Sequence, residues 1–166
     1  MNKSIVLKGI IAGLVLQLLV LAIEYLAAIY PLWTGQAVTL KVIPIDPRSL
    51  FRGNYARLKY DISTIPATDI PAVSELRLNQ FIYVRLKPGE GGIHVYDGPS
   101  LAQPPSGLFI RGRIHIDNTL HYGIEAFFAP KEKTLDLEEK LRTGGLAKVM
   151  IAGNGKAALQ DVAPLP

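Results

Sequence analysis

The sequence contains no cysteine, and with that absence go disulfide staples, thiolate metal sites and cysteine nucleophiles. Thiols therefore say nothing about the redox compartment. Histidine is scarce as well, at 3 residues in 166, so His94, His115 and His121 are the whole imidazole supply for a metal. No run of one charge sign occurs: 18 Lys and Arg against 14 Asp and Glu leave a net charge of +4, too mild for a nucleic-acid tail. Neither an internal repeat nor a low-complexity tract is present. A chain of this length supports one compact domain plus an appendage, with a core large enough to need no covalent or metal staple.

What the sequence has in excess is apolar residues near its start. IVLKGIIAGLVLQLLVLAIEYLAAIY, from Ile5 to Tyr30, is interrupted only by Lys8, Gln17 and Glu24. Residues 9 to 30 read as a transmembrane anchor helix, because about 20 residues at 1.5 Å rise cross about 30 Å of hydrocarbon. Pro31 is expected to end it, and Tyr25, Tyr30 and Trp33 sit where an interfacial aromatic belt belongs. A cleaved signal peptide is the rival reading, since Lys3 and Lys8 form a positive n-region. The apolar stretch is longer than a usual signal core, however, and the nearest small-x-small site, Gly35-Gln36-Ala37, lies beyond Pro31. A retained, single-pass anchor is expected. Lys3, Lys8 and the terminal amine outnumber Lys41, so residues 1 to 8 are expected in the cytoplasm and residues 31 to 166 outside the inner membrane.

Gln17 and Glu24 stand seven residues apart, on nearly one helix face. Polar side chains are costly in lipid. They are therefore expected to face another membrane helix, whether a second copy of the chain or a polytopic partner.

The remainder reads as mainly β, a small barrel or sandwich-like domain of seven or eight strands with one short helix. Apolar residues alternate with polar ones at Val38, Leu40 and Val42; at Ala56, Leu58, Tyr60 and Ile62; and at Ile82, Val84 and Leu86. Ile110, Gly112, Ile114 and Ile116 form another such strand. It is expected to return through Tyr122, Ile124, Ala126 and Phe128 after a three-residue loop at 117 to 119. That register would set Ile116 opposite Leu120, His115 opposite His121 and Arg111 opposite Glu125. A last hairpin joins 146–152 to 156–162 around Gly153-Asn154-Gly155, whose Asn and Gly can take positive φ. Between the hairpins Thr134 to Arg142 reads as the short helix, with Gly144 past its end. A turn of helix is expected within 66–77, and loops at 87–92 and 98–107.

The densest segment is DPRSLFRGNYARLKY, residues 46 to 60. On one reading it is a tight connection in which Phe51 and Tyr60 plug the core and the arginines are solvated. On the other, Asp46, Arg48 and Arg52 form a polar knot or a binding edge, since arginine forks onto a carboxylate or phosphate. RGNYARLKY resembles the signature of the GDYxxLxY family of bacterial membrane-anchored proteins, and PIDPRSLF is similar to the PxDPRxLF run that precedes it. Gly53, Tyr55, Leu58 and Tyr60 match; Asn54 stands where the family name calls for Asp. The resemblance continues through Thr34 to Gln36, the R-G-R strand at Arg111 to Arg113, the passage from Phe128 to Glu138 and the final Gly-Lys-Ala strand. It implies a membrane-anchored protein often encoded beside polytopic membrane proteins, in a family without an assigned activity. An essential carboxylate at position 54 is not expected.

Two chemical readings remain. Three histidines could hold a metal, but scattered on polar faces they are expected to be exposed, and neither metal nor cofactor is expected. Ser49 with Lys59 as base would make a membrane-anchored hydrolase resembling signal peptidase; the spacing and the polar setting of Lys59 argue against it. The polar faces of three strands carry Arg57, Lys59, Arg85, Lys87, Arg111, Arg113 and His115, a basic face able to rest on anionic headgroups if those strands are neighbours. The expected function is an accessory or binding module for a membrane partner rather than a catalyst.

Overall fold

The apolar N-terminal sequence folds as one helix, α1 (Lys3–Thr34), and the rest as strands, in a computed structural model that describes residues 3–43, 55–69, 77, 79–115, 119–128, 141 and 143–165. Helix α1 is long and apolar enough to cross a membrane. Its side chains stand exposed from Ser4 to Ala28, Leu18 at 66%.

Pro31 does not end it. The helix continues to Thr34 with Pro31 inside. Proline has no N–H to give the carbonyl four residues back, which here is that of Ala27. Lys156 Nζ donates to that carbonyl instead, at 2.6 Å. Pro31 is fully buried, and Gly35 N–H closes the helix on the Pro31 carbonyl at 2.9 Å.

Ten strands follow among the described residues: β1 (Gln36–Ile43), β2 (Tyr55–Arg57), β3 (Lys59–Tyr60), β4 (Phe81–Pro88), β5 (Ile93–Ser100), β6 (Phe109–Ile114), β7 (Leu120–His121), β8 (Ala126–Phe128), β9 (Gly145–Ile151) and β10 (Ala157–Pro164). The main sheet runs β10-β9-β1-β5-β4-β6-β7, with β3 also on β1, while β2 and β8 pair separately. It curls into a half-barrel. Alternation fills the inside: Val38, Leu40 and Val42 from β1, Ile82, Val84 and Leu86 from β4, Val149 and Ile151 from β9 share one buried cluster. Each such side chain contributes roughly 1.5–3 kcal/mol by leaving water. Beyond the short β7, the free edge of β6 meets the β9–β10 turn through Arg111 N–H on the Gly155 carbonyl at 2.8 Å.

The 110–128 hairpin differs from expectation. Arg113 pairs with His121 and Ile114 with Leu120, a two-residue shift from the expected register. A shift of two keeps every side chain on its face, so the alternation could not reveal it. The return strand stops at His121; Gly123 has φ +82°, and the chain resumes as β8 on β2 rather than on β6. The strand expected at 56–62 likewise divides into β2, β3 and a 3-10 turn at Asp61–Ser63, although Leu58, Tyr60 and Ile62 are all buried as expected.

Strand β5 was not legible from alternation. It occupies part of the expected 98–107 loop, pairs antiparallel with β4 and parallel with β1, and includes Gly98 and Pro99. Strand β4 similarly extends to Pro88, into the expected 87–92 loop. The last hairpin forms as expected, with Gly155 at φ +78° carrying its positive φ. Most of the expected 134–142 helix lies outside the described residues; Leu141 is buried, and Gly144, at φ +103°, donates to the Leu141 carbonyl at 3.0 Å. Within 66–77, Asp69 N–H turns back to the Pro66 carbonyl at 2.9 Å.

Candidate functional site

Asp46, Arg48, Ser49, Arg52, Gly53 and Asn54 lie outside the described residues, as does the side chain of Tyr55, whose backbone starts β2. Leu58 and Tyr60 are described, and both are structural. Even-numbered parity turns Tyr60 and Tyr122 into the core, where each hydroxyl needs an acceptor. Tyr60 Oη donates to the Ile124 carbonyl at 2.6 Å, and Tyr122 Oη donates to the Ile62 carbonyl at 2.5 Å. Leu58 N–H reaches the Glu125 carbonyl at 2.8 Å. Residues 58–62 and 122–125 thus hold each other by three bonds.

The Glu125 carboxylate accepts from the amides of Tyr122 and Gly123, the latter at 2.9 Å, which ends the β7 return. Burial drives the hydroxyls of Tyr60 and Tyr122 well above tyrosine's ordinary range, with Glu125 contributing in both and Tyr96 in the second. Neither tyrosine is available as an acid or base near neutrality. Gly112, the centre of the R-G-R strand, leaves room for the Tyr122 ring: a Cβ there would stand 2.9 Å from its Cδ1.

The histidines divide. His115 and His121 stack with ring centroids 4.7 Å apart, on the β6–β7 edge, while His94 lies on β5, with β4 between. No group of three His, Asp or Glu side chains is gathered for a metal among the described residues.

The expected basic face also divides. Strands β4 and β6 are neighbours, but Lys87 pairs with Asp97 at 3.0 Å and Arg85 reaches the Asp97 carbonyl at 3.4 Å. Arg57 and Lys59 belong to β2 and β3, which pair with β8 and β1 rather than with β4 or β6. What remains together is Arg111 and Arg113, whose guanidinium carbons stand 4.7 and 4.3 Å from the Phe81 ring centroid. Phe81 itself is 42% exposed.

Three recesses follow one another over this side of the sheet. The first, about 250 Å³, includes Lys59, Ser63, His121 and Glu125. The second, about 380 Å³, shares His121 and Glu125 and adds Phe81, Arg111, Arg113 and Lys156. The third shares Arg111 and Lys156 and reaches α1 at Leu26, Ala27 and Tyr30. Sequence reasoning missed this continuity. Its only sequence signal is Pro31, which frees a helix carbonyl for a donor from elsewhere in the chain. Gln17 and Glu24, by contrast, lie on the part of α1 that projects away from the sheet, and the helix around them is exposed.

Neither characterised proteins nor solved structures give a match to this chain. The GDYXXLXY protein family matches it over residues 17–162, a span that takes in half of α1, the motif, the tyrosine pair and both walls of the third recess, and the chain belongs to that family.

Proposed function

We propose that the chain is a single-span membrane anchor carrying an extracytoplasmic β-domain that serves as an accessory or binding module for a membrane partner. The observation that carries this reading is the face of α1 bearing its polar residues. At about 100° per residue, Gly9, Gly13, Gln17 and Glu24 fall within about 80° of one another. A Cβ built at Gly9 or Gly13 meets nothing within 4 Å, so a neighbouring backbone has room to approach. Small residues that admit close approach, combined with polar groups that hydrogen-bond across helices, are the ordinary means of helix association in lipid. Left facing lipid, polar side chains are costly, up to roughly 3 kcal/mol for a charge at the bilayer centre and less for Glu24 nearer its edge. A polytopic protein or a second copy of this chain would relieve that cost.

Lys3 and Lys8 before the span, against Lys41 after it, favour a cytoplasmic N-terminus. The outward cations of the β-domain suit a surface held against anionic headgroups.

The test is a photo-crosslinker at Val20, between Gln17 and Glu24 on this face, in native membranes. A discrete crosslinked species is expected, and Gln17→Leu with Glu24→Leu should abolish it while insertion persists. Unchanged crosslinking in the double variant would mean that this face recruits nothing. A reporter active only outside the cytoplasm, fused after Pro166, should be active; cytoplasmic fluorescence from such a fusion would reverse the orientation.

A further inference from the structure

The recess at the joint has one apolar wall and one basic wall. Leu26, Ala27 and Tyr30 of α1 form the first, and Arg111, Lys156 and Asn154 form the second, around about 440 Å³. Two cations and no acid line it. Lys156 spends one donor on the Ala27 carbonyl at 2.6 Å, which fixes its ammonium beside the helix and leaves two donors free for a ligand. The Arg111 guanidinium is held over Phe81, and its amide bond to Gly155 brings β6 and the β9–β10 turn together. A pair of cations fixed this way, one of them able to fork, matches a phosphate.

We infer that this recess holds the headgroup phosphate of an anionic phospholipid, whose acyl chains lie along α1 below Leu26. The inference rests on the membrane-anchor reading and gives it a ligand. With Lys8 at the inner boundary, about 20 residues at 1.5 Å bring the outer edge of the hydrocarbon near residue 28. Ala27 and Tyr30 then stand at headgroup depth, and Arg111 and Lys156 beside them. Helix phase supplies the chain-binding face. Relative to Ala27, Leu26 and Tyr30 lie at about −100° and −60°, and below them in the same sector come Ile23, Leu19 and Leu16 at about −40°, −80° and −20°. All three are exposed. Glu24 and Gln17 lie on the other side, at about +60° and +80°, so lipid and partner helix do not compete for one face. A zwitterionic headgroup gains less, because the recess offers no carboxylate to its cation.

The test uses the full chain in neutral detergent, with native mass spectrometry reading retention of dioleoylphosphatidylglycerol against dioleoylphosphatidylcholine. Preferential retention of the anionic lipid is expected. Arg111→Gln with Lys156→Gln should weaken it about thirtyfold, from two near-surface cations, while Arg111→Lys with Lys156→Arg should retain most of it. Lys41→Gln with Lys148→Gln removes two exposed cations outside the recess and should change nothing. Equal retention of both lipids, equal loss in both Gln variants, or displacement by inorganic phosphate as readily as by lipid would overturn the lipid site, the last in favour of a free-anion site. Alkaline extraction of native membranes separates the two readings. Release of the wild-type chain would overturn the anchor and the lipid site together; retention, with lipid binding unaffected in the Gln variant, would overturn the lipid site alone.

Discussion

Tyr60 and Tyr122 clasp each other's segments: each hydroxyl donates to the carbonyl two residues beyond the other tyrosine, Tyr60 to Ile124 and Tyr122 to Ile62. The two bonds close contacts between residues about sixty positions apart in the chain. They also assign the last tyrosine of the GDYxxLxY motif to holding the fold.

Tyr60→Phe or Tyr122→Phe should each cost about 1–2 kcal/mol, because the ring still fills its space but a buried carbonyl loses its donor. In a domain of this size that lowers the melting temperature by several degrees. The two bonds share one pair of segments, so the double variant should lose less than the sum. Thermal unfolding of the full chain in detergent checks this; strict additivity would show that the bonds act independently.

The same tyrosines set the response to alkali. Burial raises the hydroxyls of Tyr60 and Tyr122, and burial together with the bond from Tyr96 to Asp69 raises that of Tyr96. The folded chain therefore keeps these protons to a higher pH than the unfolded chain, whose tyrosines ionise near about 10. Their contribution is complete below that value and declines as pH rises above it, since unfolding then releases protons. Unfolding and the slow part of the tyrosinate absorbance should appear together, and Tyr60→Phe should flatten the decline. Rapid ionisation of every tyrosine in a chain that stays folded would contradict the burial argument.

Gly35→Ala should loosen the joint between helix and sheet. A Cβ at this position would stand 2.9 Å from the Ile151 amide nitrogen and closer still to the Pro31 carbonyl oxygen, so backbone must move on one side. A loss of roughly 1–3 kcal/mol is expected, with faster amide exchange at Gln36 and Ile151. A variant as stable as the parent would show that the helix end yields freely.

Half-burial made some of this fold readable and left the rest hidden. Strands β1 and β4 bury alternate residues, so Val38 and Ile82 announced themselves, while the last hairpin was marked by its Gly153-Asn154-Gly155 turn. Every residue of β5 but Asp97 is only partly covered, so its sequence carries no alternation to read. Register in the β6–β7 hairpin was hidden for another reason: a two-residue slip preserves parity, and the Glu125 carboxylate on the Tyr122 and Gly123 amides marks only where the return strand stops. Tyr60 and Tyr122 were placed correctly on the inner face, but their acceptors are distant backbone carbonyls that no local pattern marks. Pro31 misled outright, because the donor that serves the freed Ala27 carbonyl lies 129 residues beyond that carbonyl in the chain.

That long-range donor substitutes for a missing helical amide. The Ala27 carbonyl lacks its helical partner because position 31 is proline, and Lys156 Nζ takes the place of the missing amide. Pro31→Ala supplies an N–H at position 31 that can donate to Ala27 within the helix. Lys156→Met should therefore cost about 1–2 kcal/mol in the parent chain and clearly less beside Pro31→Ala. Pro31 is fully buried, so Pro31→Ala alone also loses packing, and only the coupling between the two changes isolates the carbonyl. The cycle belongs in neutral detergent, where no anionic headgroup engages Lys156, with unfolding and amide exchange at Leu32 to Thr34 as readouts. If Lys156→Met costs the same in both backgrounds, water satisfies the carbonyl and the lysine serves the recess alone.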